Sequence, residues 1–86
     1  MYLIVGLGNP EPEYSKTRHN MGFDTVNLIA KNYDINFNKK DFDAIYGVGN
    51  IENEKVILFK PQTYMNESGV AIEKVRKFYK IPVQNI

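Results

Sequence analysis

The chain has 86 residues, of which 43% are hydrophobic and 24% are charged, a balance typical of one folded domain rather than a disordered segment. Its formal net charge of +1 excludes a polybasic arm for nucleic acid, although a local basic face remains open. The lack of cysteine excludes disulfides and thiolate metal sites, and a single histidine argues against zinc. No stretch has the length of a membrane span or the form of a signal peptide, so we expect a cytoplasmic protein.

The first predicted element is a strand at residues 2–7. This continuous apolar run ends at a glycine, and such a run is typical of a strand buried on both faces. Residues 8–19 are rich in Asn, Pro, Glu, Ser and Lys and therefore predict a loop. Apolar residues at helical spacing then predict a helix over 21–33, with Asn20 in position to cap its first turn.

The middle of the chain predicts a β-hairpin. Two strand candidates, residues 44–51 and 56–59, are separated by the polar stretch Asn50-Ile51-Glu52-Asn53-Glu54. Short apolar runs joined by such a stretch favour antiparallel pairing through a tight connection.

A second loop and a second helix complete the predicted elements. Residues 60–66 form the loop, and helical spacing of apolar residues predicts a helix over 68–79 that Pro82 ends. The last residues, 81–86, have the pattern of the approach to another strand.

The order strand-helix-strand-strand-helix predicts an incomplete three-layer α/β sandwich with a mixed sheet. We expect the strand at 2–7 to be central and the hairpin to lie toward one side. A strand buried on both faces needs more neighbours than one hairpin and two helices supply. We therefore interpret residues 1–86 as a single truncated domain, the front part of a larger α/β domain.

Three familiar chemical motifs do not fit this chain. Gly6 and Gly8 follow a strand, as in dinucleotide-binding folds, but the third glycine of that fingerprint is Glu11 here. A P-loop is absent, and neither Ser15 nor Ser68 lies in the Gly-x-Ser-x-Gly turn of serine hydrolases.

What remains is the histidine, His19, among the amides Asn9, Asn20 and Asn66. A histidine titrates near neutrality and can take a proton from water, and an asparagine can hold a carbonyl or donate to an oxyanion. Both loops follow strands and precede helices, so they could line one edge of the sheet. The same residues also fit purely structural roles. His19 could be an ordinary surface residue, Asn66 could cap the second helix, and Asn9 could serve the turn before Pro10.

Two stretches resemble the signatures of a known family. VGLGNPEPEYSKTRHNMGFD at 5–24 closely resembles the opening signature of bacterial peptidyl-tRNA hydrolases, and KPQTYMNESGVAI at 60–72 resembles their second signature. The likeness covers essentially the whole chain in order and spacing. The family hydrolyses the ester that joins a peptide to the 3′ end of tRNA, so the resemblance implies the N-terminal part of that enzyme and its fold.

The resemblance also implies roles for particular residues. His19 is similar to the family's catalytic base, and Asn9 and Asn66 to its catalytic amides. The residues implied to bind substrate and tRNA are Tyr14, Asn20, Tyr64, Met65 and Asn66. The implied partner is peptidyl-tRNA, and the reaction calls for no metal and no cofactor, because an ester is cut readily by activated water.

The chain departs from the family in length. Members are about twice as long, and their third signature, expected after Ile86, carries an aspartate that orients the histidine. The resemblance therefore implies a weakly active or inactive chain, binding tRNA weakly through charge. The candidate cations for that binding are Lys74, Arg76, Lys77 and Lys80.

Two other functional readings stay open at this point. The chain could be a non-catalytic RNA-binding relative of the hydrolase, or a small stand-alone domain with neither role. Whole family members act as monomers, whereas we expect this chain to form a homodimer or a higher assembly, either through an open strand edge or by exchange of an element such as the C-terminal helix.

Overall fold

The structure is a computed structural model that describes residues 1–8, 21–62 and 67–86. Its four strands form one mixed sheet in the order β1-β4-β3-β2, in which β1 runs parallel to β4 and the other pairs are antiparallel. This confirms the α/β class and the mixed sheet. In chain order the elements are β1 (Tyr2–Val5), α1 (Met21–Asn32), β2 (Lys39–Asp41), β3 (Ala44–Ile51), β4 (Glu54–Pro61), α2 (Ser68–Tyr79) and a short 3₁₀ helix (Val83–Asn85).

The core lies on both faces of β4. Its residues 56–59 are at most 3% exposed, and their side chains alternate between the two faces. Ile57 and Phe59 belong to the core that α2 covers, and Val56 and Leu58 belong to the core that α1 covers. Burial of one such side chain stabilises a fold by about 1.5–3 kcal/mol, so β4 holds the three layers together.

The strand at 2–7 was predicted to be central, and this prediction is wrong for the described part of the chain. There β1 pairs only with β4 and lies at the edge of the sheet. The centre belongs to β4, because it alone has an apolar run flanked by a parallel neighbour on one side and an antiparallel neighbour on the other. The strand also ends earlier, at Val5, although the Gly6 N–H still donates to the Phe59 carbonyl at 3.0 Å.

The predicted hairpin is present as β3 and β4. Its turn consists of Glu52 and Asn53, with φ of 50° and 69°, between the paired residues Ile51 and Glu54. Two successive residues with positive φ form the turn whose twist matches that of antiparallel strands. The paired region of β4 therefore extends beyond the predicted 56–59 on both sides.

The last residues do not form the approach to a strand, contrary to the sequence-based expectation. Helix α2 ends at Tyr79, and Lys80 follows with φ of 56° and an N–H directed at the Arg76 and Lys77 carbonyls. Ile81 is then buried in the core beneath α2, and this anchor holds the chain at the end of the sheet. Residues 83–85 turn into the 3₁₀ helix, where the Asn85 side-chain amide donates to the Met1 carbonyl at 3.1 Å.

Candidate active site

The two segments that carry the predicted site residues are 9–20 and 63–66, and they lie outside the described residues. The roles assigned to these residues therefore stay predictions. What the structure describes is the strands and helices at which both segments begin and end. The predicted residues concerned are Asn9, Tyr14, His19, Asn20, Tyr64, Met65 and Asn66.

Both segments leave the sheet from the same edge. One continues from Gly8 after β1, and the other continues from Gln62 after β4. Because β1 and β4 are parallel neighbours with Val5 opposite Phe59, their carboxyl ends lie side by side, roughly 4.8 Å apart. The carboxyl ends of strands are where open α/β sheets bind ligands.

The helix that follows the first segment, α1, begins in close contact with the end of β1. A Cβ atom on Gly6 would overlap the Gly22 carbonyl oxygen, and a Cβ atom on Gly22 would overlap the backbone of Leu7. Neither glycine has a positive φ, so glycine is needed here for backbone packing and not for a turn. The first turn of α1 is thereby held against the end of β1.

The second segment is fixed at both ends as well. The Gln62 backbone N–H donates to the Asp43 carbonyl at 2.8 Å, and its side-chain amide donates to the Lys60 carbonyl at 3.2 Å. At the other end, Ser68 begins α2 and is 4% exposed. Its hydroxyl has no hydrogen-bond partner among the described residues.

The Ser68 hydroxyl is a feature that the sequence analysis missed. A buried hydroxyl without a partner costs about 1–3 kcal/mol, so an additional hydrogen-bonding group would be favoured at this position. From the sequence, Ser68 was weighed only as a nucleophile. Its position inside the second signature, two residues after Asn66, was the signal that could have identified it.

Lys60 is a second feature that was missed, at the carboxyl end of β4 on the α1 side. Its ammonium donates to Asn27 Oδ1 at 2.9 Å and lies 3.9 Å from the centroid of the Phe37 ring. Partial burial lowers the pKa of Lys60. A lysine at this position places a positive charge two residues before Gln62, the last described residue before the second segment.

The cations of α2, which were the candidates for RNA binding, are largely paired with carboxylates. Lys74 Nζ lies 2.8 Å from Asp43 Oδ2, and Arg76 donates to both carboxylate oxygens of Glu73. Lys77 Nζ lies 3.9 Å from the same Glu73 carboxylate. The hydrogen bonds from Arg76 lower the pKa of Glu73, so that this carboxylate stays ionised. Asp43 and Glu73 therefore offset two of the four candidate positive charges, and Lys80 has no ion pair among the described residues.

Residues 1–8, 21–62 and 67–86 contain neither a cluster of metal-binding side chains nor a membrane-spanning helix. No group of three or more histidine, aspartate or glutamate side chains in these ranges could hold a metal ion. No helix in the same ranges is long and apolar enough to cross a membrane.

Comparison with known proteins gives concordant matches. A family model described as peptidyl-tRNA hydrolase matches residues 3–86. The peptidyl-tRNA hydrolases of Clostridium novyi (strain NT) and Clostridium botulinum (strain Hall) are 59% and 56% identical over 86 residues, which are 100% of this chain and 46% of each relative. A crystal structure of peptidyl-tRNA hydrolase from Acinetobacter baumannii superposes with a TM-score of 0.87 at 51% identity, covering 94% of this chain and 42% of that one. The chain thus spans about half the length of the curated relatives it matches.

Proposed function

Because the chain belongs to the peptidyl-tRNA hydrolase family, we propose that it supplies the first part of a site that hydrolyses the ester between a peptide and the 3′ end of tRNA. One observation carries this proposal. The two segments with the family's signatures leave the sheet from the adjacent carboxyl ends of β1 and β4. Side chains from both segments can therefore act on one substrate.

In the proposed reaction, His19 is the general base. Its imidazole takes a proton from a water molecule while the water oxygen attacks the ester carbonyl carbon. Asn9 and Asn66 position the substrate and donate to the oxygen that becomes negatively charged. The carbon–oxygen bond to the terminal ribose then breaks, and the ribose oxygen takes the proton back from His19.

The remaining signature residues form the proposed substrate pocket. Tyr14, Tyr64 and Met65 provide apolar and aromatic surface, while Asn20 and Asn66 provide amide groups for the peptide or the terminal nucleotide. Such a mixture, mostly apolar with a few polar groups, is typical of ligand pockets. In this proposal the protein acts in the cytoplasm, where it recycles peptidyl-tRNA during translation.

The chain alone is proposed to be weakly active or inactive. It corresponds to 46% of the Clostridium novyi relative, and the aspartate that the family uses to orient its histidine is expected in the remainder. Without such a partner the tautomer of His19 is not fixed, and its charged form is less stable during the reaction.

A chimera tests the proposal. Residues 1–86 replace the matching 86 residues of the Clostridium novyi enzyme, to which they are 59% identical, and peptide release from an N-acetyl-aminoacyl-tRNA is measured. We expect release by the chimera, and a loss of at least ~10²-fold with His19→Ala. Asn50→Ala, at an exposed hairpin position, is the matched control for Asn9→Ala and Asn66→Ala and should leave release unchanged.

The same assay separates the enzyme from the RNA-binding alternative, which the matches do not favour. A chimera that binds tRNA yet releases no peptide, with or without His19, would support a non-catalytic role. Unchanged release by His19→Ala would refute the assignment of the base while leaving the family membership intact.

A further inference from the structure

Three residues form a row across strands β2, β3 and β4, and the row ends near the carboxyl end of β4. Lys40 of β2 lies opposite Ile45 of β3, and Ile45 lies opposite Lys60 of β4. Directly opposed residues in antiparallel strands point to the same face. Lys60 contacts Asn27 of α1, so the whole row lies on the face that α1 covers.

The two lysines of this row have no acidic partner among the described residues. The ion pairs found there all involve cations of α2, namely Lys74, Arg76 and Lys77. No carboxylate of the described residues therefore neutralises Lys40 or Lys60, although partial burial lowers the pKa of Lys60. Among the described residues, Lys40 and Lys60 are thus cations of the α1 face that form no ion pair, whereas Lys74, Arg76 and Lys77 of α2 all lie next to a carboxylate.

Lys60 is held in place by neutral groups. An ammonium has three donors, and among the described residues the Asn27 amide oxygen accepts one while the Phe37 ring face attracts the charge. A cation fixed in this way keeps a donor for a further acceptor and loses little side-chain entropy when one binds.

A cavity of about 290 Å³ lies beside the row and opens to solvent. It has an aromatic ring, an amide and amine groups around it, and no carboxylate: its lining residues are Phe37, Asn38, Lys39, Lys40 and Ile45. Cations combined with an aromatic surface are the usual elements of nucleic-acid binding sites.

We propose that Lys40 and Lys60 form a phosphate-binding row that holds the RNA backbone of the substrate next to the candidate active site. This inference rests on the proposed function, because it needs a tRNA substrate. The row leads from the outer strand β2 toward the carboxyl ends of β4 and β1, where the signature segments leave the sheet. A substrate whose 3′ end reaches that edge passes its phosphates over the row.

The contrast with α2 gives the physical reason. A lysine that binds phosphate releases a counterion, which favours binding. Lys74 and Lys77 would first have to give up Asp43 and Glu73, so their net gain is smaller. Lys40 and Lys60 lose no ion pair within the described part of the chain when they meet a phosphate.

The test is RNA binding by the 86-residue chain. Fluorescence anisotropy with a labelled acceptor-stem RNA hairpin is recorded at several salt concentrations for the unmodified chain, for Lys40→Met with Lys60→Met, and for the control Lys74→Met with Lys77→Met. Loss of two phosphate contacts should reduce the slope of log K against log salt by roughly 1.4–1.8, depending on strandedness. The control pair should change the slope much less.

Further variants separate charge from folding. Lys60→Arg keeps the charge and should keep the binding. Lys40→Met alone, at an exposed position, should reduce the salt slope by half as much as the double variant does, without lowering the melting temperature. A DNA hairpin of the same sequence should show the same dependence, because the row recognises phosphate and not the 2′-hydroxyl.

The proposal would be overturned if both double variants reduced the salt slope equally, or if Lys40→Met with Lys60→Met (the row variant) did not reduce it. Absence of RNA binding by the unmodified chain would also overturn it. These outcomes are distinct from a failure of the proposed function, which is judged by peptide release. A chimera that releases peptide while the row variant binds RNA normally would leave the enzyme assignment standing and remove the row.

Discussion

At the scale of single residues, the contact between β1 and α1 is possible only because Gly6 and Gly22 have no side chains. Ala at position 22 would place a Cβ against the Leu7 backbone, so we expect Gly22→Ala to reduce the free energy of unfolding by about 1–3 kcal/mol. The matched control is Gly69→Ala in α2, where a Cβ meets nothing within 4 Å. Gly69→Ala should increase the free energy of unfolding by about 0.5–1 kcal/mol, because alanine favours a helix more than glycine does. Urea denaturation measures both, and effects of the same sign would contradict this account.

The Tyr46 hydroxyl gives a prediction about alkaline pH. Burial, together with the hydrogen bond to the Tyr79 hydroxyl at 3.2 Å, raises the pKa of Tyr46 to about 12. Between pH 10 and 12 the unfolded chain loses this proton while the folded chain keeps it, so the free energy of unfolding should fall with rising pH in that window. Below pH 10 the protonated Tyr46 hydroxyl makes its full contribution to the free energy of unfolding.

Denaturation midpoints at pH 9 and 11 measure this effect. The difference between the two midpoints should be smaller in Tyr46→Phe than in the unmodified chain. Tyr33→Phe, at a tyrosine that is 46% exposed, serves as the control and should leave the difference unchanged. The same difference in all three proteins would exclude Tyr46 as the group responsible.

The sequence showed some of the candidate site and concealed the rest. His19, Asn9 and Asn66 could be proposed because they stand within two signatures, and their roles stay predictions. Lys60 and Ser68 were missed, because their importance depends on three-dimensional neighbours: the Phe37 ring and Asn27 for one, and burial of the hydroxyl for the other. The pairing of lysines on α2 with Asp43 and Glu73 was likewise invisible, since Asp43 lies 31 positions before Lys74.

At the scale of the elements, the β3–β4 turn offers a way to stabilise the protein. Glu52 and Asn53 both have positive φ, which is costly for a residue such as glutamate. Glu52→Asn with Asn53→Gly gives the dipeptide preferred in this turn and should add about 1 kcal/mol to the free energy of unfolding. Thermal unfolding followed by circular dichroism measures it.

The neighbouring turn between β2 and β3 provides the comparison. Phe42 and Asp43 also have positive φ there, but the Phe42 ring packs 5.2 Å from the Phe78 ring and Asp43 pairs with Lys74. Asp43→Gly should therefore gain less than the Glu52–Asn53 change, because relief of the backbone is offset by loss of the ion pair. A larger gain at Asp43 would show that backbone strain outweighs these contacts.

Elements with a strong pattern were predicted well, and short or polar ones were not. The bounds of β3 and α2, Ala44–Ile51 and Ser68–Tyr79, agree with the prediction. Strand β2 was missed because it has three charged and exposed residues, and it forms only through its pairing with β3. Residues 81–86 were misjudged because an apolar Ile81 can anchor a loop in the core as well as begin a strand.

At the scale of the whole molecule, the outer side of β1 is the feature with the largest consequence for assembly. In the described part of the chain no strand pairs there, and Tyr2-Leu3-Ile4-Val5 contains no charge that would repel a second copy. We expect two chains to pair through antiparallel β1 strands and to form a dimer at micromolar concentration. Light scattering over a dilution series measures the mass, which is 9.9 kDa for one chain.

A charged residue on this edge should prevent the pairing. Tyr2 is 43% exposed, and Tyr2→Lys would place two like charges near each other in the dimer while leaving the pairing of β1 with β4 intact. Val83→Lys, at an exposed position of the 3₁₀ helix, is the control for added charge. A folded monomer at all concentrations, or a dimer that Tyr2→Lys does not affect, would contradict this prediction.

The parallel pairing of β1 with β4 also sets an order of folding. Val5 finds its partner only at Phe59, whereas the β3–β4 hairpin closes within a few residues. Closing the longer loop costs more chain entropy, so the hairpin forms first and β1 joins a sheet that already exists. During synthesis at about 5–20 residues per second, β1 waits roughly 3–10 s for the residues of β4 that pair with it. Throughout that interval β1 is an apolar segment without its partner strand, and it is a target for chaperones.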